Sequence, residues 1–213
     1  MTTRVLLADD HGMMREGLRA LLAGAPDIEV VADVGDGREA VRIAAQLLPD
    51  VIVMDVSMPD LNGIEAAHLL REKCPKTRIV MLSMHASSEH VHRALEAGAA
   101  GYVLKESAAA EVIAAVRTVC AGRLYLSPAL GGIDFEARVR VGGKSPLESL
   151  SSRERQVLQL VVEGRSSAEI ARTIHLSAKT VETYRSRLMK KLGVPDTPAL
   201  VKFAIRHGLT PPG

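Results

Sequence analysis

Residues 51–63 read VIVMDVSMPDLNG, and their order decides the fold. An unbroken apolar run stops at a single acid, Asp55; a loop punctuated by Pro59 follows, and helical spacing starts at Gly63. A strand that is apolar on successive residues is covered on both faces, which is the condition of a parallel sheet with helices packed on either side. The carboxylate then falls at the carboxyl end of that strand, where α/β sheets bind their ligands. Outward from this stretch the same unit recurs. RVLLA, IEVVADV, RIVMLS and GYVLK are further strand candidates, and helices are expected to begin near Gly12, Gly37, Gly63, Ser88 and Ala108. The first half therefore reads as α/β, a doubly wound five-stranded parallel sheet with five helices.

The chain has 213 residues, enough for two domains, with 47% hydrophobic and 24% charged residues. No apolar run reaches the roughly 18 residues of a membrane span, so no membrane partner is expected. The start, MTTRVLLADD, has no signal-type cleavage site, and a cytoplasmic location follows as the expectation. Cys74 and Cys120 lack Cys or His neighbours at metal-ligand spacing and read as reduced thiols. Charge is uneven: residues 1–127 hold 13 Lys+Arg against 17 Asp+Glu, and residues 148–213 hold 11 against 6. A basic half beside an acidic one points to a polyanion partner for the basic half.

Residues 128–147 contain GG, GGK and two prolines, which read as a linker; a flexible one would span about 25 Å root-mean-square. The expected division is thus 1–127, a 128–147 linker, and 148–213. Beyond the linker everything is helical. Ser151 with Glu154 forms a capping box for a first helix that Gly164 ends, SSAEIARTI is a second, Ser177 caps a third reaching Leu192, and Thr197 to His207 is a fourth. A small all-α domain is expected there.

Several strand ends carry polar groups. Asp9 and Asp10 follow the first strand, Asp55 ends the third, Ser83 the fourth, and Lys105 the fifth. Taken singly, each has an ordinary use as a helix cap or a solvated side chain. Taken together they form one acidic edge, where close carboxylates are costly to ionise without a divalent cation. Magnesium suits such an oxygen set and bridges readily to phosphate. The chemistry that fits is attack of Asp55 on a phosphoryl donor, with Lys105 and the metal offsetting charge and Ser83 bonding the new phosphate.

With LLADDH at the start, MDVSMPDLNG around Asp55, LSMH at Ser83 and GYVLK at Lys105, the first 125 or so residues resemble the flavodoxin-like receiver domain of two-component systems. The resemblance implies that Asp10, Asp55 and the backbone carbonyl of Ser57 ligate Mg2+, with Asp9 acting through water. It also implies a switch in which Ser83 moves toward the phosphate and Tyr102 turns inward. Ser57 and His85 fall where that family tunes the lifetime of the phosphoryl group.

The segment from LSSRERQVLQL to MKKLGV resembles the helix-turn-helix domain of the NarL/FixJ, or LuxR-type, regulators. Ile170, Ala171, Ile174, Leu176, Val181, Leu188 and Leu192 are spaced as its core, while Lys179, Glu182, Thr183, Arg185, Ser186, Arg187, Lys190 and Lys191 line the outward face of the third helix. By resemblance, Glu182, Thr183 and Ser186 read bases, and Thr180, Tyr184, Arg187 and Lys190 hold the backbone of double-stranded promoter DNA. A Glu at 182 would accept from a cytosine amino group. The implied partners are a sensor histidine kinase, promoter DNA, RNA polymerase and a second copy of the chain in a phosphorylated homodimer. Three other readings meet opposing features. A phosphotransferase of this type would carry a second acid at position 57. A passive dimerisation module would not need the full acidic set. A ligand-sensing activator would want aromatics, of which the chain has five, with no Trp.

Overall fold

The computed structural model describes residues 2–131 and 146–206. The chain divides into two compact units, Met1–Val139 and Arg140–Gly213. Most of the expected linker, residues 132–145, lies outside the described residues, as does His207.

In the first unit the strands are β1 (Thr3–Ala8), β2 (Ile28–Val34), β3 (Val51–Asp55), β4 (Arg78–Ser83), β5 (Gly101–Leu104) and β6 (Tyr125–Leu126). They form one parallel sheet in the order β2-β1-β3-β4-β5-β6. The order reverses at β1, where β2 lies on one side and β3 on the other, so β1 and β3 meet at the switch point where ligands gather. Helices α1 (Gly12–Ala23), α2 (Gly37–Leu47), α3 (Gly63–Lys73), α4 (Ser88–Glu96) and α5 (Ala108–Cys120) begin at the five expected positions. Strand parity sorts the core into two layers. Leu6, Ile52, Met54, Met81 and Tyr102 pack beneath α2, α3 and α4. Val5, Leu7, Val53, Leu82 and Val103 pack beneath α1 and α5. Burial on both faces is why these runs show no polar alternation.

Among the described residues the sheet has six strands, one more than the sequence pattern gave. β6 is two residues long, too short for any periodicity, and it covers the open edge of β5. Glu111 on α5 holds it there, accepting from the Ser127 hydroxyl at 2.6 Å and the Tyr125 hydroxyl at 3.2 Å. Cys74 is buried and Cys120 exposed, and both are free thiols.

The second unit contains α6 (Ser152–Val162), α7 (Ser167–Ile174), α8 (Ala178–Leu192) and α9 (Thr197–Arg206). The Ser151/Glu154 capping box is present, and a second one, Ser166 with Glu169, opens α7. Ser177 caps α8 through the Thr180 amide. The core is built from Val157, Leu160, Ile170, Ile174, Val181, Leu188 and Leu200. His175 takes a left-handed φ of 56° in the turn between α7 and α8, so the two helices cross within three residues. Among the described residues, no helix is long and apolar enough to cross a membrane.

Candidate phosphorylation pocket and nucleic-acid interface

Asp9 follows β1 and Asp55 ends β3, and both are 1% exposed. Lys105 follows β5 and reaches back across the sheet edge. Its Nζ donates to Asp55 Oδ2 at 2.7 Å and is ion-paired with Asp9 Oδ2 at 2.9 Å. The Ser57 amide donates to Asp55 Oδ1 at 3.0 Å and the His11 amide to Asp9 Oδ1 at 2.8 Å. Asp10 is more open, with its side chain 31% exposed. Asp9, Asp10, Asp55, Ser57 and Lys105 are thus brought to one cleft.

The Lys105 ammonium contacts two of the three clustered carboxylates, Asp9 and Asp55, and the electrostatics follow. Burial raises the pKa of Asp55 to about 6; Lys105 and the Ser57 amide pull it down, and the charge of Asp9 adds to the rise. Burial works against the Lys105 ammonium, but the hydrogen bond and charge of Asp55, then those of Asp9, outweigh it and hold its pKa above the ordinary lysine value. The donor set fits a hard divalent ion: carboxylate oxygens of Asp9, Asp10 and Asp55 converge within 4.8 Å of one another.

Ser83 and Tyr102 lie on the α4 side of the sheet, and the register sets Met81 beside Tyr102 and Leu82 beside Asp55. Both residues grip one peptide unit's neighbourhood. The His85 amide donates to Ser83 Oγ at 3.0 Å, and the Tyr102 hydroxyl donates to the His85 carbonyl at 2.8 Å. Tyr102 is fully buried, in the inward position, and burial pushes its pKa to about 12 despite a hydrogen bond with Ser83 that lowers it. The His85 ring stacks on His90 with centroids 4.4 Å apart.

His11 is not among the residues the sequence reading assigns to the pocket. Its Nδ1 lies 2.9 Å from Asp10 Oδ1 and 3.3 Å from Asp9 Oδ1. The only sequence signal was its place directly after the two acids. Beside it, Met13, Met14, Leu18, Leu21 and Met84 line an apolar hollow of about 690 Å³ that also touches Lys105.

On α8, Lys179, Glu182, Thr183, Ser186, Arg187 and Lys190 are exposed, and Thr180 and Tyr184 are half-buried. Ser177, Lys179, Thr180, Thr183, Tyr184 and Arg187 border a concavity of about 340 Å³ at its amino-terminal half. Two residues expected on the outward face are tied to neighbouring elements of the domain, Arg185 half-buried and Lys191 still exposed. Arg185 donates to Ser167 Oγ on α7 at 3.0 Å and to Thr197 Oγ1 on α9 at 3.3 Å. Lys191 donates to Glu154 at 2.7 Å and to the Ser149 carbonyl at 3.1 Å. Glu182 accepts from the Ser167 hydroxyl and faces Arg185 at 3.9 Å. Helical spacing alone cannot distinguish a solvated cation from one that reaches sideways to a neighbouring helix.

Known proteins place this geometry. Residues 5–117 match the family described as response regulator receiver domain, and residues 148–204 match that described as bacterial regulatory proteins, luxR family. The transcriptional regulatory protein MctR of Rhizobium johnstonii is 41% identical over 97% of this chain and 94% of its own length. LiaR of Bacillus subtilis is 39% identical over 97% and 98%. Among solved structures, RcsB of Salmonella enterica serovar Typhimurium bound to promoter P1flhDC in the presence of phosphomimetic BeF3− aligns with a TM-score of 0.66 at 26% identity, over 95% of this chain and 98% of that one. The paired matches, a receiver and a DNA-binding domain in one chain, make this protein a member of the LuxR-type response regulators of two-component systems, which act as transcription factors.

Proposed function

We propose that Asp55 is the phosphoacceptor of this regulator and that a sensor histidine kinase is its donor. An Asp55 carboxylate oxygen forms the new P–O bond, the P–N bond to the kinase histidine breaks, and the leaving imidazole takes up a proton. Lys105, already against Asp55 Oδ2, would bond the transferred phosphoryl oxygens, and the Ser57 amide orients the attacking carboxylate. Asp9, Asp10, Asp55 and the Ser57 backbone carbonyl are the groups that would hold Mg2+, which offsets phosphoryl charge when bound. The exposed methionines Met13 and Met84 at the mouth, 89% and 65% exposed, favour a protein donor with an apolar face over a small molecule. The reading rests above all on Asp9, Asp55 and Lys105 sharing one buried cleft.

Phosphorylation would draw Ser83 to the phosphate and release the His85 amide it now accepts from, altering the surface around α4 and β5. The self-catalysed chemistry would be limited to acceptance and hydrolysis at Asp55. In the helical domain, Lys179, Thr180, Arg187 and Lys190 would hold phosphates, with Tyr184 packed beside them. Glu182, Thr183 and Ser186 would face base edges of promoter DNA. A cytoplasmic homodimer, with domains at 1–127 and 148–213 joined by 128–147, would set two α8 helices on paired half-sites and so act on RNA polymerase. The structural relative held on a promoter with BeF3− supports that coupling.

The test is labelling with radiolabelled acetyl phosphate, for the parent chain and Asp55→Asn. Base-labile label in the parent and none in the variant is expected; equal labelling would remove Asp55 from the role.

A further inference from the structure

Glu182 is the only acid on α8, whose exposed face offers Lys179, Arg187 and Lys190 as cations. A carboxylate on a surface that meets phosphates is repelled by the duplex unless it finds a donor there. Its Oε1 accepts from the hydroxyl of Ser167, the first residue of α7. That hydroxyl in turn accepts from Arg185 Nη1 at 3.0 Å, while Arg185 and Glu182 stand 3.9 Å apart, outside direct hydrogen-bond reach. A guanidinium only donates and an ionised carboxylate only accepts, so the proton order is fixed, running from Arg185 through Ser167 to Glu182. Bonds in such a chain polarise and strengthen one another.

Two further observations set Ser167 apart from an ordinary serine at a helix start. Ser166 caps α7 through its reciprocal box with Glu169, so the Ser167 hydroxyl is not needed as a cap. The guanidinium that bonds it is also anchored on its far side, where Arg185 Nη2 donates to Thr197 Oγ1 on α9 at 3.3 Å. Groups from three helices thus fix one carboxylate. With 62% of its side chain exposed, Glu182 would sample several rotamers without these bonds.

Both contacts use Oε1, and Oε2 stays available as an acceptor. In the major groove, an acceptor is paired by the amino group of cytosine N4 or adenine N6 and repelled by guanine O6 and thymine O4. We propose that Ser167, on α7 and outside α8, is a specificity-determining positioning residue: it holds Glu182 in the rotamer from which Oε2 selects a base bearing an amino group. The proposal rests on Glu182 facing base edges, and adds the residue that aims it.

The experiment selects binding sites from a randomised duplex pool with the full-length protein in BeF3−, for the parent, Ser167→Ala, Ser167→Thr and Glu182→Ala, and reads base preference position by position. The parent should prefer cytosine or adenine at one position of each half-site by about tenfold or more. Ser167→Ala is expected to reduce that preference to about twofold or less, and Ser167→Thr, which keeps the hydroxyl, to retain most of it. Affinity for random duplex should stay within about twofold of the parent in both, because no phosphate contact is removed. A parent-like preference in Ser167→Ala, lost in Glu182→Ala, would overturn the proposal and leave base reading by Glu182 standing. A preference that survives Glu182→Ala would remove that reading and this proposal with it. Weaker binding of Ser167→Ala to every duplex alike would make Ser167 a phosphate contact, which also overturns the proposal.

Discussion

A Cβ placed on Gly63 would stand 2.2 Å from the carbonyl oxygen of Asp55. The contact is with backbone, which cannot swing aside, and the Gly63 amide already donates to the Val56 carbonyl at 2.9 Å. The start of α3 is therefore pressed against the end of β3, and the position of Asp55 depends on Gly63 having no side chain. Gly63→Ala is expected to destabilise the first unit by about 3 kcal/mol. In the fraction that still folds, phospholabelling should fall further than the folded fraction does, because Asp55 itself is displaced. Thermal melts followed by circular dichroism, beside acetyl phosphate labelling, check both; labelling that tracks folded protein one-for-one would limit Gly63 to stability.

Asp55 is held at a cost. Its folded pKa is raised, by burial first, from 3.8 to about 6. A carboxyl with a raised folded pKa supports folding while protonated, below about pH 4, and that support is lost as pH rises through about 6. Asp55→Asn removes the step. The variant should be more stable than the parent at pH 7.5 without divalent ions, by up to about 3 kcal/mol, with the gap closing as pH falls from 6 to 4. Added MgCl2 should narrow the gap at pH 7.5, since it stabilises only a chain whose site binds it. A parent that equals the variant at pH 7.5 in chelator would contradict the strain assigned to Asp55.

The hydroxyl of Tyr102 and that of Ser83 meet the carbonyl and amide of the same residue, His85. Tyr102→Phe leaves a carbonyl without its donor and should cost about 1–2 kcal/mol, with faster hydrogen exchange in the β4–α4 loop. The phenol pKa of about 12, raised chiefly by burial, makes its contribution present below pH 10 and lost only as pH rises through about 12. The Tyr102→Phe penalty should therefore be constant from pH 6 to pH 9. A penalty that varies across that range would show that another group governs the loop.

Strand ends made the pocket legible in the sequence. Asp9, Asp55 and Lys105 each follow an apolar run, and a parallel sheet aligns all carboxyl ends on one edge, so convergence needed no long-range information. The helix starts were equally open to reading, because glycine and serine punctuate the turns. What escaped depended on contacts between elements distant in sequence. β6 is defined by pairing with β5 rather than by its own two residues, and the requirement for glycine at 63 is set by the carbonyl of Asp55. Arg185 and Lys191 have the spacing of a solvated face, and only the positions of Ser167, Thr197 and Glu154 on other helices tie them to the domain.

Arg185 and Lys190 should consequently respond in opposite ways to truncation. The Arg185 side chain is 22% exposed and ties α8 to α7 and α9 through Ser167 and Thr197, with Glu182 nearby. Removing a guanidinium that bonds two hydroxyls should cost about 1–3 kcal/mol, so Arg185→Ala is expected to lower the melting temperature of the helical unit. It would also free Glu182 and Ser167 from their shared cation, and if Glu182 reads a base as proposed, discrimination at that base pair should weaken. Lys190 is exposed, with no such tie among the described residues' hydrogen bonds and ion pairs. Lys190→Ala should leave the melt unchanged, weaken binding to every DNA sequence alike, and flatten the dependence of log affinity on log salt by about 1. Salt-series binding curves on promoter and random duplexes separate the two. If Arg185→Ala flattened the salt slope with an unaltered melt, Arg185 would be a phosphate contact, and the cross-helix bonds would be incidental to its role.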